Sequence, residues 1–134
     1  MGVERMTREL YPALPVLLVD DEAAILRSYR IVLLRAGITN VVCCDDSREV
    51  LGLLKKHNAS LVLMDLTMPH LTGEELLEQI VESFPDVPVI VITGNTDVDS
   101  ATICMELGAC DYIVKPLSKE RLFQAVEENV KMGA

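Results

Sequence analysis

The sequence contains no tryptophan, and aromatic residues make up only 4% of its 134 positions. A core filled by large aromatic rings is therefore excluded, and valine, leucine, isoleucine and alanine must supply most of it. Half of the residues are hydrophobic and a quarter are charged, a balance that is typical of a folded chain and excludes general disorder. The length corresponds to one domain.

Positive charge is also scarce, with 12 lysines and arginines against 21 acidic residues and a formal net charge of −9. Such a chain lacks the basic stripe that direct nucleic-acid binding needs and the basic cluster that binds an anionic membrane surface. The apolar runs are too short to cross a membrane, and the first 14 residues contain no apolar signal-peptide core. We therefore expect no membrane contact and no direct nucleic-acid binding by this chain.

The cysteine pattern lacks both a CxxC pair and a histidine at zinc-ligand spacing. Each cysteine lies in or beside an apolar stretch, at Cys43, Cys44, Cys104 and Cys110. Apolar surroundings favour a packing role over a reactive one. Reduced thiols are typical of a cytoplasmic protein, which is the location we expect.

Three segments are indicated: a flexible N-terminal lead-in at residues 1–14, one domain at 15–132 and a short C-terminal tail at 133–134. Within the domain, β-branched runs alternate five times with amphipathic segments that carry capping residues or end at glycine. The strands are expected at 15–19, 39–44, 60–64, 89–93 and 110–114, and the helices at 22–36, 47–57, 72–81, 96–107 and 118–130. Five β-α units with short connections predict a parallel sheet with helices on both faces.

Polar residues stand at the carboxyl ends of four predicted strands. Asp20 and Asp21 follow strand one, Asp65 follows strand three, Thr93 ends strand four and Lys115 follows strand five. Ligands of open α/β sheets bind at this edge, and parallel strands bring all four positions to it. Neighbouring carboxylates repel one another unless a divalent cation lies among them, and Mg²⁺ prefers such oxygen ligands.

Each of these residues also has a simpler interpretation. Asp20 and Asp21 alone would cap the first helix, and Asp65 alone would begin the turn that follows it. Thr93 alone would be an ordinary strand residue, and a single lysine at a strand end is usually solvated. In combination they favour a carboxylate nucleophile at Asp65 that forms an aspartyl phosphate, with Thr93 and Lys115 available to contact the phosphoryl oxygens.

Four stretches carry a resemblance to a known family: "VLLVDDE", "LVLMDLTMPHLTGEELL", "VPVIVITG" and "GACDYIVKP". Through them the sequence resembles the receiver domain of bacterial two-component response regulators, and in particular receivers of the NtrC-like kind. The resemblance covers nearly the whole chain, from Pro15 to about Met132. It implies a CheY-like, flavodoxin-like α/β fold: a doubly wound five-stranded parallel sheet in strand order 2-1-3-4-5 with five helices.

The resemblance also implies a role for each residue at the edge of the sheet. Asp65 corresponds to the phosphoacceptor, and Thr93 and Lys115 correspond to the hydroxyl and the amine that bind the phosphoryl group. Tyr112 corresponds to an aromatic switch residue. The implied ligands of Mg²⁺ (or Mn²⁺) are Asp20, Asp21, Asp65 and the backbone carbonyl of Thr67.

The implied partner is a histidine kinase or a phosphotransfer protein whose phosphohistidine donates to Asp65. Thr93 would then move toward the new charge, Tyr112 would turn inward, and the face made by helix four, strand five and helix five would change. A second copy of the chain, an output domain or an output protein would bind there. The domain would catalyse only its own phosphorylation and dephosphorylation, so we do not expect an enzyme that acts on a released substrate.

A helical wheel of the fourth helix places Val98, Ala101 and Met105 on an inner stripe. Ile103 and Leu107 lie on the opposite face, one turn apart. An exposed apolar pair on that face indicates a docking surface. The alternative is a pair of scattered apolar residues, which are common on protein surfaces.

Three other functions use a similar sheet. A receiver fold can serve as a constitutive protein-interaction module, although the complete acidic pocket argues against this. A flavodoxin-like FMN carrier would need a phosphate-binding loop after strand one, where this chain has Asp20, Asp21 and Glu22. A haloacid-dehalogenase-type phosphatase would need a second carboxylate two residues after Asp65, where this chain has Thr67.

Overall fold

In a computed structural model that describes residues 10–133, five β-strands and five α-helices alternate along the chain. The strands are β1 Val16–Val19, β2 Val41–Cys44, β3 Leu61–Met64, β4 Val89–Thr93 and β5 Asp111–Val114. The helices are α1 Ala23–Arg35, α2 Val50–His57, α3 Gly73–Ser83, α4 Val98–Leu107 and α5 Lys119–Gly133. Within these residues, no helix is both long and apolar enough to cross a membrane.

The five strands form one parallel sheet in the order β2-β1-β3-β4-β5. Val19 is level with Cys44 on one side and with Met64 on the other, and Met64 is level with Val91. The strands therefore end at a common edge, where the segments after β1, β3, β4 and β5 begin. The predicted fold class, strand order and number of helices are confirmed.

Side chains of each strand alternate between two hydrophobic layers, because successive residues of a strand point to opposite faces. Val16 and Leu18 belong to the layer with buried residues of α1 and α5, whereas Leu17 and Val19 belong to the layer with α2, α3 and α4. Both faces of the sheet are thus covered. This explains why the strands are apolar at nearly every position.

Several helix ends form as the sequence predicts. Gly37 and Gly108 follow α1 and α4 with φ of +92° and +114°, a left-handed conformation that glycine adopts without steric cost. Thr72 Oγ1 accepts the Glu75 N–H at 3.1 Å at the start of α3. Ser118 accepts a backbone N–H in the same way at the start of α5.

Two predicted boundaries change. The second predicted helix opens with a separate 3-10 turn, Ser47–Glu49, before α2 begins. The last helix continues to Gly133, so it enters the predicted tail at 133–134, and Ala134 lies outside the described residues.

The flexible lead-in at residues 1–14 stays a prediction, and the structure adds contacts near its end. Residues 1–9 lie outside the described part of the chain, but Tyr11 is held against the loop before β2. The Tyr11 N–H donates to Thr39 Oγ1 at 2.9 Å, and its carbonyl accepts the N–H groups of Thr39 and Asn40 at 2.7 and 2.9 Å. The Asn40 side chain donates to the carbonyls of Pro12 and Ala13. Periodicity of apolar residues cannot reveal such backbone contacts.

The predicted inner stripe of α4 is wrong. Ser100 and Cys104 are the buried residues, one turn apart, whereas Val98 is 75% exposed and Met105 is 47% exposed. Ala101 is only partly buried. Apolar residues occur all round this helix and a small polar residue faces the core, so the pattern does not define an inner face.

The prediction that Ile103 and Leu107 form an exposed pair on α4 is wrong for the same reason. Ile103 is exposed as expected, but Leu107 is partly buried and packs against the core layer that includes Cys104. Only Ile103 therefore remains as an exposed apolar residue of the pair.

The start of α3 is in close contact with the residue after Asp65. A Cβ atom at Gly73 would overlap the Leu66 backbone. Gly73→Ala is therefore expected to lower the free energy of unfolding by about 1–3 kcal/mol, because the backbone must shift. Urea unfolding measures the change.

Gly52 provides the matched control. A Cβ atom there meets nothing within 4 Å, and Gly52 lies inside α2. Gly52→Ala is expected to raise the free energy of unfolding by roughly 0.5–1 kcal/mol, because alanine favours a helix interior. Equal stability of the two variants would contradict the close contact at Gly73.

Candidate functional site

Two carboxylates lie almost buried at the carboxyl edge of the sheet. Asp20 follows β1 and is 3% exposed, and Asp65 follows β3 and is 7% exposed. The Asp20 N–H donates to the Cys44 carbonyl at 3.1 Å, and the Asp65 N–H donates to the Val19 carbonyl at 3.0 Å. The sheet itself therefore positions both residues. Burial of a carboxylate is unfavourable unless it is paired, so its partners matter.

Lys115 is the charged partner of both carboxylates. Its Nζ donates to Asp20 Oδ2 at 2.9 Å and to Asp65 Oδ2 at 3.2 Å, and the Lys115–Pro116 peptide bond is cis. Burial lowers the pKa of the Lys115 ammonium, but hydrogen bonds and charges from Asp20 and Asp65 outweigh burial and leave this pKa above its ordinary value. Lys115 therefore stays charged and joins the ends of β1, β3 and β5.

The second oxygen of each carboxylate accepts a backbone N–H from two residues further along. Glu22 donates to Asp20 Oδ1 at 2.9 Å, and Thr67 donates to Asp65 Oδ1 at 3.1 Å. These bonds fix the direction of both side chains. The alternative in which Asp20 and Asp21 only cap the first helix is not favoured, because the N-cap residue of α1 is Glu22 and its side chain makes no cap bond. Asp20 and Asp21 precede that cap.

Asp21 completes an acidic cluster. One oxygen each from Asp20, Asp21 and Asp65 lies within 4.8 Å of the others, and Asp21 is the exposed member. The cluster has three carboxylates, and Lys115 pairs with two of them, Asp20 and Asp65, so negative charge remains toward solvent. Clustered oxygen donors that are open to water fit a hard divalent cation such as Mg²⁺. The Thr67 carbonyl remains a predicted ligand.

Thr93 and Tyr112 are linked through Asn95, a connection that the sequence did not predict. Thr93 is 0% exposed, and its Oγ1 accepts the Asn95 N–H at 3.3 Å. The Tyr112 hydroxyl donates to the Asn95 carbonyl at 3.0 Å and lies 3.5 Å from Ser100 Oγ. Asn95 Oδ1 accepts the N–H of Asp97, the N-cap of α4. Hydrogen bonds therefore connect Thr93 to β5 and α4.

The sequence around Asn95 and Ser47 gives only weak indications of the contacts that these residues make. Asn95 follows a strand and a glycine, a pattern that indicates no more than a turn. Ser47 is buried after β2 and bonds to the loop after Asp65, whereas its position in the sequence indicates only a helix start.

The cysteine thiols are not among the groups that form this site. All four are free. Burial raises the pKa of the Cys44 and Cys104 thiols, which keeps them neutral and unreactive.

The fold and the site together define a class of protein. A doubly wound parallel sheet with three carboxylates and a lysine at its carboxyl edge is a flavodoxin-like α/β domain with an acidic, cation-compatible pocket. The family model for the response regulator receiver domain matches residues 16–127. The chain therefore belongs to the response regulator receiver domain family.

Relatives support the finer resemblance. Regulatory protein LuxO of Vibrio vulnificus is 33% identical over 118 residues, which are 87% of this chain and 26% of LuxO. The C4-dicarboxylate transport transcriptional regulatory protein DctD of Pseudomonas aeruginosa is 36% identical over 117 residues, which are 87% of this chain and 25% of DctD. The chain thus spans about a quarter of the length of these relatives. The predicted likeness to NtrC-like receivers is confirmed.

A solved structure supports the fold. The crystal structure of a CheY-like response regulator receiver domain protein from Methanospirillum hungatei superposes with a TM-score of 0.84 at 28% identity. The match covers 90% of this chain and 95% of that chain.

Proposed function

We propose that this chain is a phosphorylation-dependent signalling switch that accepts a phosphoryl group on Asp65. The observation that carries the proposal is the environment of this carboxylate. It is 7% exposed, it is oriented by the Thr67 N–H and Lys115 Nζ, and it shares a cluster with two further carboxylates. A carboxylate that only begins a turn needs none of these partners.

The proposed donor is the phosphohistidine of a histidine kinase or a phosphotransfer protein. A carboxylate oxygen of Asp65 forms a bond to phosphorus while the donor's P–N bond breaks, and its electron pair returns to the histidine nitrogen. Lys115 contacts Asp65 and balances the charge of the transferred group, and the Thr93 hydroxyl donates to a phosphoryl oxygen. We place this reaction in the cytoplasm. The domain acts on its own Asp65 and not on a released substrate.

Mg²⁺ (or Mn²⁺) is the proposed cofactor. The residues that would hold it are Asp20, Asp21, Asp65 and, through its backbone carbonyl, Thr67. When bound, the cation neutralises negative charge on the attacking and transferred oxygens.

The proposed signal leaves the site through Asn95. When the Thr93 hydroxyl turns to the phosphoryl group, its Oγ1 releases the Asn95 N–H. The Asn95 carbonyl holds the Tyr112 hydroxyl, so the loop and Tyr112 change together. This alters the face formed by α4, β5 and α5, where Val98 and Val114 are exposed. The proposed partner at this face is a second copy, an output domain or an output protein.

Incubation with acetyl phosphate and Mg²⁺, followed by intact mass measurement, tests the proposal. A single phosphoryl adduct is expected, mapped to the peptide with Asp65, and EDTA should prevent it. In the same sample, the NMR signals of Tyr112 and α4 are expected to shift. No adduct from acetyl phosphate or a phosphorylated histidine donor would favour the constitutive interaction module. A colourless purified protein would count against an FMN carrier.

A further inference from the structure

Ser47 is a buried polar residue that the phosphorylation chemistry does not use. It opens the 3-10 turn after β2 and is 2% exposed. Its hydroxyl donates to the Pro69 carbonyl at 2.9 Å and accepts the Leu71 N–H at 3.3 Å. Both partners belong to residues 66–72, which connect Asp65 to α3 and are called the phosphoacceptor loop below. One side chain thus joins two segments that are 22 to 24 residues apart.

The two partners of Ser47 flank a residue with an unusual backbone conformation. His70 has φ of +80°, which residues other than glycine adopt only at an energetic cost. Ser47 satisfies the carbonyl on one side of His70 and the N–H on the other. Ser47 therefore favours the positive φ of His70 over extended conformations, which would not bring the Pro69 carbonyl and the Leu71 N–H to the same hydroxyl.

The phosphoacceptor loop is held at its ends by other contacts. The Thr67 N–H donates to Asp65 Oδ1 at 3.1 Å. The Gly73 N–H donates to the Leu66 carbonyl at 3.2 Å. Between these ends, Ser47 is the side chain that binds the backbone of residues 69 and 71. Thr67 is itself one of these ends, and it is exposed.

The turn that carries Ser47 is also held by contacts of its own. Asp46 Oδ1 accepts the Arg48 N–H at 2.9 Å, and the Arg48 guanidinium pairs with Asp46 Oδ2 at 2.8 Å. These hydrogen bonds to Arg48 lower the pKa of Asp46 to about 2, so the cap is charged throughout the neutral range. Because the turn is capped, Ser47 loses little conformational entropy when its hydroxyl bonds to the loop.

We propose that Ser47 is a positioning residue that holds the phosphoacceptor loop so that Thr67 stays beside Asp65, and that it thereby sets the affinity of the acidic cluster for Mg²⁺. The proposal rests on the Mg²⁺ site of the proposed function, in which the Thr67 carbonyl is a ligand. Ser47 does not contact the cation, so its effect is transmitted through the backbone of residues 67–71.

Calorimetric titration of the full chain with Mg²⁺ tests the proposal. Ser47→Ala is expected to raise the Kd for Mg²⁺ about threefold to tenfold, because two hydrogen bonds to the loop are lost. Amide hydrogen exchange at Thr67 and Leu71 should become faster. Ser60→Ala is the matched control, because Ser60 bonds to the Pro15 carbonyl at the opposite edge of the sheet. It should leave the Kd within about twofold of wild type.

A double variant shows whether Ser47→Ala lowers Mg²⁺ affinity by releasing the phosphoacceptor loop or by a general loss of packing. Glycine adopts positive φ without steric cost, so His70→Gly added to Ser47→Ala is expected to recover a large part of the lost Mg²⁺ affinity. If Ser47→Ala does not fold, Ser47→Cys keeps the side-chain size with weaker hydrogen bonds and should raise the Kd in the same direction.

Three outcomes measured on the variants would overturn the proposal: an unchanged Kd in the Ser47 variants, an equal rise in Ser60→Ala, or no recovery on addition of His70→Gly. A wild-type chain that does not bind Mg²⁺ would also overturn it. A wild-type chain that binds Mg²⁺ but takes up no phosphoryl group would refute the proposed function instead, and the role of Ser47 in cation binding would stand.

Discussion

Asp65→Asn is expected to abolish the uptake of a phosphoryl group from acetyl phosphate in the presence of Mg²⁺. Asparagine has the size of aspartate and its oxygen can still accept the Thr67 N–H, so the loop stays in place. Its neutral amide oxygen is too weak a nucleophile to attack phosphorus. Intact mass spectra, recorded under conditions that label the wild-type protein, should show no adduct.

Asp45→Asn is the matched control for this prediction. Asp45 follows β2 at the same edge of the sheet and is exposed, and it is not a member of the acidic cluster. The variant loses the same charge and should be labelled as the wild type is. A phosphoryl adduct of wild-type yield on Asp65→Asn would show that another residue is the acceptor.

Lys115→Met is expected to slow phosphorylation about 100-fold, because the ammonium that balances the charge of the transferred group is removed. The variant should also lose about 1–3 kcal/mol of unfolding free energy without Mg²⁺, because Asp20 and Asp65 lose their charged partner. Mg²⁺ should restore part of this loss. Urea unfolding with and without Mg²⁺ measures the stability, and the rate of adduct formation measures the chemistry.

The contribution of Lys115 to the free energy of unfolding depends on pH. Its pKa in the folded protein lies above its ordinary value. The stabilisation is therefore fully present below the unfolded pKa of about 10.4 and is lost as pH rises through the higher folded value. The Lys115→Met variant should not show this loss of stability at alkaline pH.

Lys119→Met is the control for the removal of charge. Lys119 is exposed at the start of α5, whereas Lys115 makes the ion pairs with Asp20 and Asp65. Removal of the Lys119 charge should therefore leave stability and phosphorylation near those of wild type. If Lys115→Met were as stable as Lys119→Met in the absence of Mg²⁺, the ion pairs of Lys115 would not contribute to the fold.

The elements and the acidic site could be predicted because they depend on local patterns. Apolar runs such as Val89–Thr93 define strands that are covered on both faces. Once the strands are parallel, their ends must meet, so Asp20 and Asp65 come together although they are far apart in sequence. The direct bonds of Lys115 to both carboxylates were not predicted, because they depend on distances across the folded edge of the sheet.

The orientation of α4 and the contacts of the N-terminal segment could not be predicted. In α4 the buried positions include Ser100, and an exposed position is Val98, so hydrophobicity alone assigns the faces incorrectly. Tyr11 and Ser47 are held mainly by backbone groups of distant residues. Because nearly every residue has these groups, the sequence carries no mark of such contacts.

The link at Asn95 has a consequence for how this domain tolerates mutation. The bonds to Thr93 and Tyr112 are made by the N–H and the carbonyl of Asn95, which every residue type except proline can supply. Evolutionary drift at position 95 can therefore change the side chain while the link between Thr93 and Tyr112 is preserved, although the bond from the Asp97 N–H to Asn95 Oδ1 at the start of α4 would be lost. An insertion, a deletion or a proline would interrupt the link.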